Sequence, residues 1–313
     1  MAYTYLAPKD TAKLLEQGAA KCQNFGLRLV RYAPRQVIES STDRYDDRGK
    51  VIGKERSFWL QELCKNFKPD SELVQSTYQR WQAMTEGAAR FKAALQGRMV
   101  IGLGGKGAME FGITLHRVTG LPYIPGSALK GLTRSYFLIQ LAEQAGYTDT
   151  LDKLDELLTK SASDDENRDK SGADRKAIDE IARALPKLDR NFITLYREMF
   201  GLQGEAGTCV FYDAVLAEPP QGQLFTVDVM TPHFVKYYRE SGAQAPDEGD
   251  NPNPVNYVTV SAGVRFAFAI GKRRTTDKLH LADARVLLRE ALYWLGVGSK
   301  TASGYGVFEA PKS

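Results

Sequence analysis

An α+β protein is predicted by three features of the sequence. Segments 90–101, 208–216, 223–230, 257–261 and 264–270 alternate apolar and polar residues with the period of a half-buried strand. Segments 127–144 and 280–295 carry apolar residues at helical spacing. With the intervening insertions set aside, the order is strand, helix, strand pair, helix, strand. That is the β-α-β-β-α-β pattern of a ferredoxin-like domain, which RNA-recognition modules share.

Residues 1–88 read as a helical N-terminal extension laid against the main domain. Within it, residues 10–22 form a short helix with Asp10 or Thr11 as cap, and Ser57–Cys64 and Ser71–Arg90 form two more. Phe58, Trp59, Leu60, Val74, Tyr78 and Trp81 are available for packing, while Glu39–Lys54 is a polar, irregular excursion. Residues 89–313 form the main domain, with insertions at about 145–200 and 231–256.

In the first strand region, Phe91, Ala93 and Leu95 alternate with polar residues. Gly102-Leu-Gly-Gly-Lys-Gly107 fits G-x-G-x-x-G, but residues 108–115 alternate like a strand, whereas a dinucleotide fingerprint must open a helix. A phosphate-binding Walker motif fails too, because Lys106 is followed by Gly107. The next helix, Ser127–Gln144, buries a stripe of Leu129, Leu132, Tyr136 and Ile139. Thr148–Arg190 is crowded with charge of both signs and reads as a solvated, partly helical insertion around an apolar-poor centre, 161–172. Asn191–Phe200 is a short helix. The last helix, His280–Leu295, presents Leu281, Ala284, Leu288, Ala291, Leu292 and Leu295, and a final strand spans Gly306–Glu309.

Composition allows nucleic-acid binding without arguing for it. The chain has 313 residues, 42 Lys+Arg against 38 Asp+Glu, and a formal net charge of +4. Cys22, Cys64 and Cys209 lack metal-ligand spacing and read as thiols in a reducing cytosol. His116, His233 and His280 are scattered, so neither a metal nor any other cofactor is expected. An export signal and a membrane span are not expected either, and the localisation implied is cytoplasmic.

Two glycine-rich stretches carry the chemistry. In Gly120-Leu-Pro-Tyr-Ile-Pro-Gly-Ser-Ala-Leu-Lys-Gly131, prolines keep the chain extended, Gly126 permits a bend and Ser127 is a preferred helix N-cap. Lys130 then sits in the first helical turn, where it opposes the helix macrodipole unless an anion joins it, and Arg134 follows one turn later. An ordinary capped helix with a solvated lysine fits these residues equally well. The second stretch, Gly296-Val-Gly-Ser-Lys-Thr-Ala-Ser-Gly-Tyr-Gly306, combines four glycines, three hydroxyls and Lys300 after a helix. A long glycine cap is the alternative, but two such stretches favour a polyanion.

These stretches, with Asp228-Val-Met-Thr-Pro-His-Phe-Val-Lys-Tyr-Tyr238 and Pro252-Asn-Pro-Val-Asn-Tyr-Val-Thr-Val260, resemble the RAMP superfamily of type III-B CRISPR effectors. Within it they are similar to the family of the sixth subunit of the Cmr complex. The pieces follow the family's order over roughly two-thirds of the chain. The resemblance implies a ferredoxin-like RAMP domain with its two glycine-rich loops near each other. It also implies a non-catalytic RNA-binding subunit that holds the 3′ part of the guide RNA and helps engage target RNA in antiviral defence. Its partners would be the backbone RAMP subunit, the small helical subunit and the other terminal RAMP subunit.

Carried over by motif, the RNA-binding candidates are Ser127, Lys130, Gly131 and Arg134, with Gly298, Ser299, Lys300, Thr301, Ser303, Gly304 and Gly306. Their task would be recognition of the RNA backbone, indifferent to base identity. His116 is open to phosphate contact or plain exposure, and His233, Tyr237 and Tyr238 are open to base stacking or internal packing. The segment Thr231–Pro254 is expected to form a finger toward the guide–target duplex. A ribonuclease acting on guide or target RNA is the alternative. The target-cutting backbone subunit of type III effectors uses an aspartate ten residues before the glycine that opens this motif, where this chain has Glu110. One added methylene displaces a carboxylate by about 1 Å, a misplacement that can cost roughly 100-fold.

Overall fold

The computed structural model describes residues 4–18, 22–38, 43–45, 51–105, 109, 111–160, 170–231, 254–274 and 281–311. Helix and sheet are mixed in an α+β arrangement. The main sheet is built on strand β10 (Arg265–Lys272), which pairs antiparallel with β3 (Ala89–Ala94) on one side. On its other side lie β6 (Cys209–Phe211) and β7 (Val215–Leu216). Beyond β3, Phe308 bridges Leu95 and the Glu309 N–H donates to the Ala94 carbonyl at 2.9 Å. The expected strand 306–309 is thus reduced to this one bridge, because Gly304 and Gly306 hold left-handed φ values of 83° and 69° up to its first residue.

β10 is central because both of its faces are apolar and buried. Phe266, Phe268 and Ile270 enter the main core, where the Phe268 and Phe308 rings meet edge-on at 5.2 Å. Helices α5 (Gly126–Ala145) and α9 (Leu281–Trp294) pack there side by side. Ala267 and Ala269 face the other way, and their small side chains let Trp81 of α4 (Ser71–Met84) lie against the sheet. Trp81 donates its indole N–H to the Asp213 carbonyl at 2.8 Å. The expected helix 71–90 stops at Met84, and Gly87 (φ 74°) turns the chain into β3.

The other N-terminal elements are α1 (Lys9–Gly18), a π-helical turn (Leu27–Arg31), α2 (Arg35–Ile38), the hairpin β1 (Asp43–Tyr45) and β2 (Val51–Lys54), and α3 (Glu55–Asn66). Of these, the π-helical turn, α2 and α3 contribute Leu29, Val37, Leu60, Leu63 and Cys64 to one hydrophobic cluster with the main domain. Phe25 stacks on Phe225 at 4.0 Å and meets Phe67 edge-on at 4.9 Å. Phe225 opens β8 (Phe225–Met230), which pairs with β9 (Val255–Val260) as the two arms of a hairpin. Residues 232–253, and with them the expected finger, lie outside the described residues.

Helices α6 (Leu151–Thr159), α7 (Lys170–Ala184) and α8 (Arg190–Phe200) flank the charged insertion. α6 and α7 correct the expectation of a solvated excursion over 148–190, since Leu154, Leu158, Ile181 and Leu185 are buried in the main cluster. α6 and the described part of α7 are amphipathic, with their charged residues exposed or half-buried. Short strands β4 (Gly201–Leu202) and β5 (Glu205–Ala206) follow α8. The expected strand over 108–115 is also absent from its described residues, which form turns and a single bridge, Leu115 to Pro122. The stripe on α5 is Leu129, Thr133, Tyr136, Phe137, Leu138 and Leu141, while Leu132 and Ile139 are only half-buried.

Candidate nucleic-acid interface

The first glycine-rich stretch is held by backbone contacts that tolerate no side chain. Gly120 (φ 69°) would place a Cβ 2.5 Å from the Phe25 nitrogen, and Gly126 would place one 2.1 Å from the Phe211 carbonyl oxygen. Between them, Ile124 and Ala214 exchange two backbone hydrogen bonds of 2.9 Å. The expected Ser127 cap is corrected: the helix starts one residue earlier, at Gly126, whose N–H donates to Asp213 Oδ1 at 2.7 Å. Asp213, at the kink between β6 and β7, supplies the acceptor that Pro125 lacks, and Ser127 is left exposed.

Lys130 stands half-buried beside Cys209. Burial lowers its pKa, and the nearby Arg134 and Arg273 push in the same direction. Among the described residues no carboxylate lies at ion-pair distance from it. The Cys209 thiol, pushed up to about 12 by burial, is neutral and supplies no counter-charge. Arg134 is differently placed: its guanidinium donates to both Asp155 oxygens at 2.9 and 2.6 Å and to the Tyr196 hydroxyl at 2.9 Å. Gly131 is exposed, and a Cβ there would meet nothing within 4 Å. A helix-interior glycine costs about 1 kcal/mol relative to alanine, and no neighbour among the described residues requires it.

The second stretch is a tight loop built against residues 97–101. The Ser299 N–H donates to the Val100 carbonyl and the Gly306 N–H to that of Arg98, both at 2.8 Å. A Cβ would lie 2.4 Å from the Val100 oxygen at Gly298, and 1.9 Å from the Val297 oxygen at Gly306. Lys300 has φ 61°, the one non-glycine left-handed residue among those described. Such a conformation costs roughly 1–2 kcal/mol. It is held by Ser303 and Tyr305, whose N–H groups donate to the Lys300 carbonyl at 2.9 and 3.3 Å. The Lys300 ammonium lies 5.7 Å from the centre of the Tyr257 ring. Thr301 is half-buried, and Gly298, Ser303 and Gly304 are exposed.

A polar network unread in the sequence joins this loop to the base of the β8–β9 hairpin. The Arg98 guanidinium and the Tyr305 hydroxyl both donate to Asp228 Oδ2, and the Tyr257 hydroxyl donates to that of Tyr305 at 3.0 Å. Burial would raise the Asp228 pKa, but the Tyr305 hydroxyl, the Val229 N–H and Arg98 outweigh it and hold it below its ordinary value. Asp228 and Tyr257 belong to the two segments that carried the family resemblance, so the signal was present although the pairing was not.

The C-terminal half of α5 and the N-terminal half of α9 line one groove, so the two helices run antiparallel. The start of α5 and the loop after α9 therefore face the same end of the helical pair. Laterally they diverge, with Lys130 beside the β6 edge and the terminal loop beside the Phe308 edge. Three strand spacings set these edges about 14 Å apart. His116 is exposed and its Nδ1 accepts from the Thr119 N–H at 3.3 Å. Glu110, His233, Tyr237, Tyr238 and His280 lie outside the described residues. Among the described residues no cluster of three metal-ligating side chains occurs, and no helix is long and apolar enough to cross a membrane.

Known proteins sharing this sequence and fold identify its relatives. The RAMP superfamily model matches residues 93–309, from β3 through the terminal loop. The chain is 30% identical over 275 residues to the CRISPR system Cmr subunit Cmr6 of Pyrococcus furiosus, which covers 80% of this chain and 77% of that protein. It is 24% identical over 274 residues to the CRISPR system CMR subunit Cmr6 of Saccharolobus solfataricus, covering 84% of this chain and 75% of that protein. The cryo-EM structure of the type III-B Cmr-beta bound to cognate target RNA contains a chain of like fold, with a TM-score of 0.56 and 20% identity over 96% of this chain and 94% of that one. The chain belongs to the RAMP superfamily and, within it, to the Cmr6 family.

Proposed function

We propose that this protein is a non-catalytic RNA-binding subunit of a type III-B CRISPR (Cmr) effector. It holds the 3′ region of the guide RNA, helps engage target RNA, and assembles with the backbone RAMP subunit, the small helical subunit and the other terminal RAMP subunit. The domain is ferredoxin-like: Phe308, β3, β10 and β6 follow one another across the sheet in the order of that fold, with α5 and α9 on one face. α4 of the helical extension covers the other face, and the β8–β9 hairpin is an insertion.

One observation carries the RNA reading. Lys130 is a half-buried cation crowded by Arg134 and Arg273, without a carboxylate partner among the described residues, beside a helical glycine that faces open space. A phosphate accepts from such a group, and Gly131 lets a sugar–phosphate chain approach closely. Lys300 supports the same reading, because a lysine is kept in a backbone conformation that glycine would adopt without strain. Arg134 is tied to Asp155, so Lys130 is the cation at this helix start that is left to meet a phosphate.

The test is a salt series of RNA binding with two unrelated single-stranded sequences. Lys130→Glu and Lys300→Glu should each weaken both RNAs alike and reduce the salt slope by about 0.7 per lost phosphate contact. Unchanged affinity for both RNAs removes the site.

A further inference from the structure

The helical face carries a second surface of opposite character. α5, α8 and α9 enclose a groove of about 960 Å³ with an apolar floor that includes Phe137 and Leu287. Phe192, 40% exposed, and Val286, 49% exposed, stand along it. Phe192 is fixed in place, its ring edge-on to Phe137 at 6.3 Å. Val286, Glu290 and Trp294 succeed one another at four-residue spacing on α9, so the same face runs on to Trp294, which is 66% exposed. Single exposed apolar residues are ordinary, whereas a contiguous row across adjacent helices marks an interaction surface.

Charge decides what that surface can hold. Among the described residues Glu143, Glu198, Asp283 and Glu290 line the groove and no lysine or arginine does, although the chain as a whole has more basic than acidic residues. Such a rim repels a phosphodiester backbone, which binds through cations. It attracts a lysine- and arginine-rich partner with an apolar stripe, and an elongated groove between helices suits a helix laid into it.

We propose that this groove docks a basic amphipathic helix of another protein chain. The inference deepens the reading of the chain as an effector subunit, and it is independent of where RNA binds. The probe is a fluorescein-labelled peptide of about 18 residues with leucines at helical i, i+3, i+4 spacing and lysines elsewhere, titrated with the full chain. Control peptides carry glutamates in place of the lysines, or a central proline.

The leucine–lysine peptide should bind, and both controls should bind at least about tenfold more weakly, a difference of 1.4 kcal/mol. Val286→Glu, and separately Glu143→Lys with Asp283→Lys, should each weaken the lysine peptide by a similar factor. Val286 is half-exposed on the groove wall, so Val286→Glu should leave melting temperature and RNA affinity unchanged. Equal binding of the glutamate peptide, indifference to Val286→Glu, or displacement of the peptide by single-stranded RNA would overturn the proposal. So would sedimentation revealing a dimer that Val286→Glu dissolves, which would assign the groove to a second copy. Loss of the Lys130 and Lys300 effects on RNA leaves each of these outcomes readable.

Discussion

Asp228 holds the terminal loop to the hairpin base, and the consequence of removing it can be worked from its contacts. Its Oδ2 accepts from Tyr305 and Arg98, and its Oδ1 accepts from the Val229 N–H at 2.8 Å. Hydrogen bonds to a charged group contribute about 1.5–3 kcal/mol each. The part-buried Tyr305 contact falls in that range, while Arg98 is 45% exposed and water screens its pairing to about 1 kcal/mol or less. Asp228→Ala should therefore cost about 3 kcal/mol, which lowers the melting temperature of a chain this size by roughly 5 °C. Asp228→Asn keeps an acceptor for Tyr305 and should cost about half as much.

The pH dependence separates this account from a general loss of packing. Because the folded pKa of Asp228 lies below the ordinary 3.8, the carboxylate contributes its stability in full above that value and loses it as pH falls through the folded pKa. Urea unfolding should find a constant gap between wild type and Asp228→Asn from about pH 5 to 8, narrowing below about pH 4. A gap that persists into acid, or an alanine variant as stable as wild type, would refute the reasoning.

Four further outcomes can be tested. Gly131→Ala should raise stability by about 1 kcal/mol while weakening RNA binding, since its Cβ meets nothing inside the protein; calorimetry and RNA titration on one preparation read both. Gly306→Ala should lose at least about 3 kcal/mol or fail to fold, because its Cβ would lie 1.9 Å from a backbone oxygen, whereas Gly304→Ala should cost only the roughly 1–2 kcal/mol of a left-handed residue. The pKa of Lys130 is lowered on folding, so between its folded value and 10.5 the unfolded chain binds more protons and stability rises with pH; Lys130→Met should remove that rise in alkaline unfolding curves. Target cleavage by a reconstituted effector should survive His116→Ala and Glu110→Ala, and loss of one specific cut with assembly intact would favour the ribonuclease.

Local sequence was sufficient for the elements whose cause is local. The spacing of Ala284, Leu288, Ala291 and Leu292 dictates α9, and a strand over 264–270 was legible too, although it is buried on both faces and not on the single face that alternation implies. The glycines at 120, 126, 298 and 306 were legible as turns, though the sequence could not distinguish glycines demanded by a neighbouring backbone from Gly131, which is not. The charged insertion was misread because net polarity hides an amphipathic face until a core is present to receive it.

What only the tertiary structure decided are pairings between residues far apart in the chain. The cap of α5 comes from Asp213, 87 residues from the N–H it accepts, and Arg134 is drawn to Asp155 by the return of α6 along α5. Arg98, Asp228 and Tyr305 meet because the hairpin and the terminal loop close on the same end of β3. Side-chain periodicity and turn chemistry act over a few residues and are written in the sequence. Which charge finds which partner depends on how strands and helices stack, and that is fixed by burial of the whole core at once.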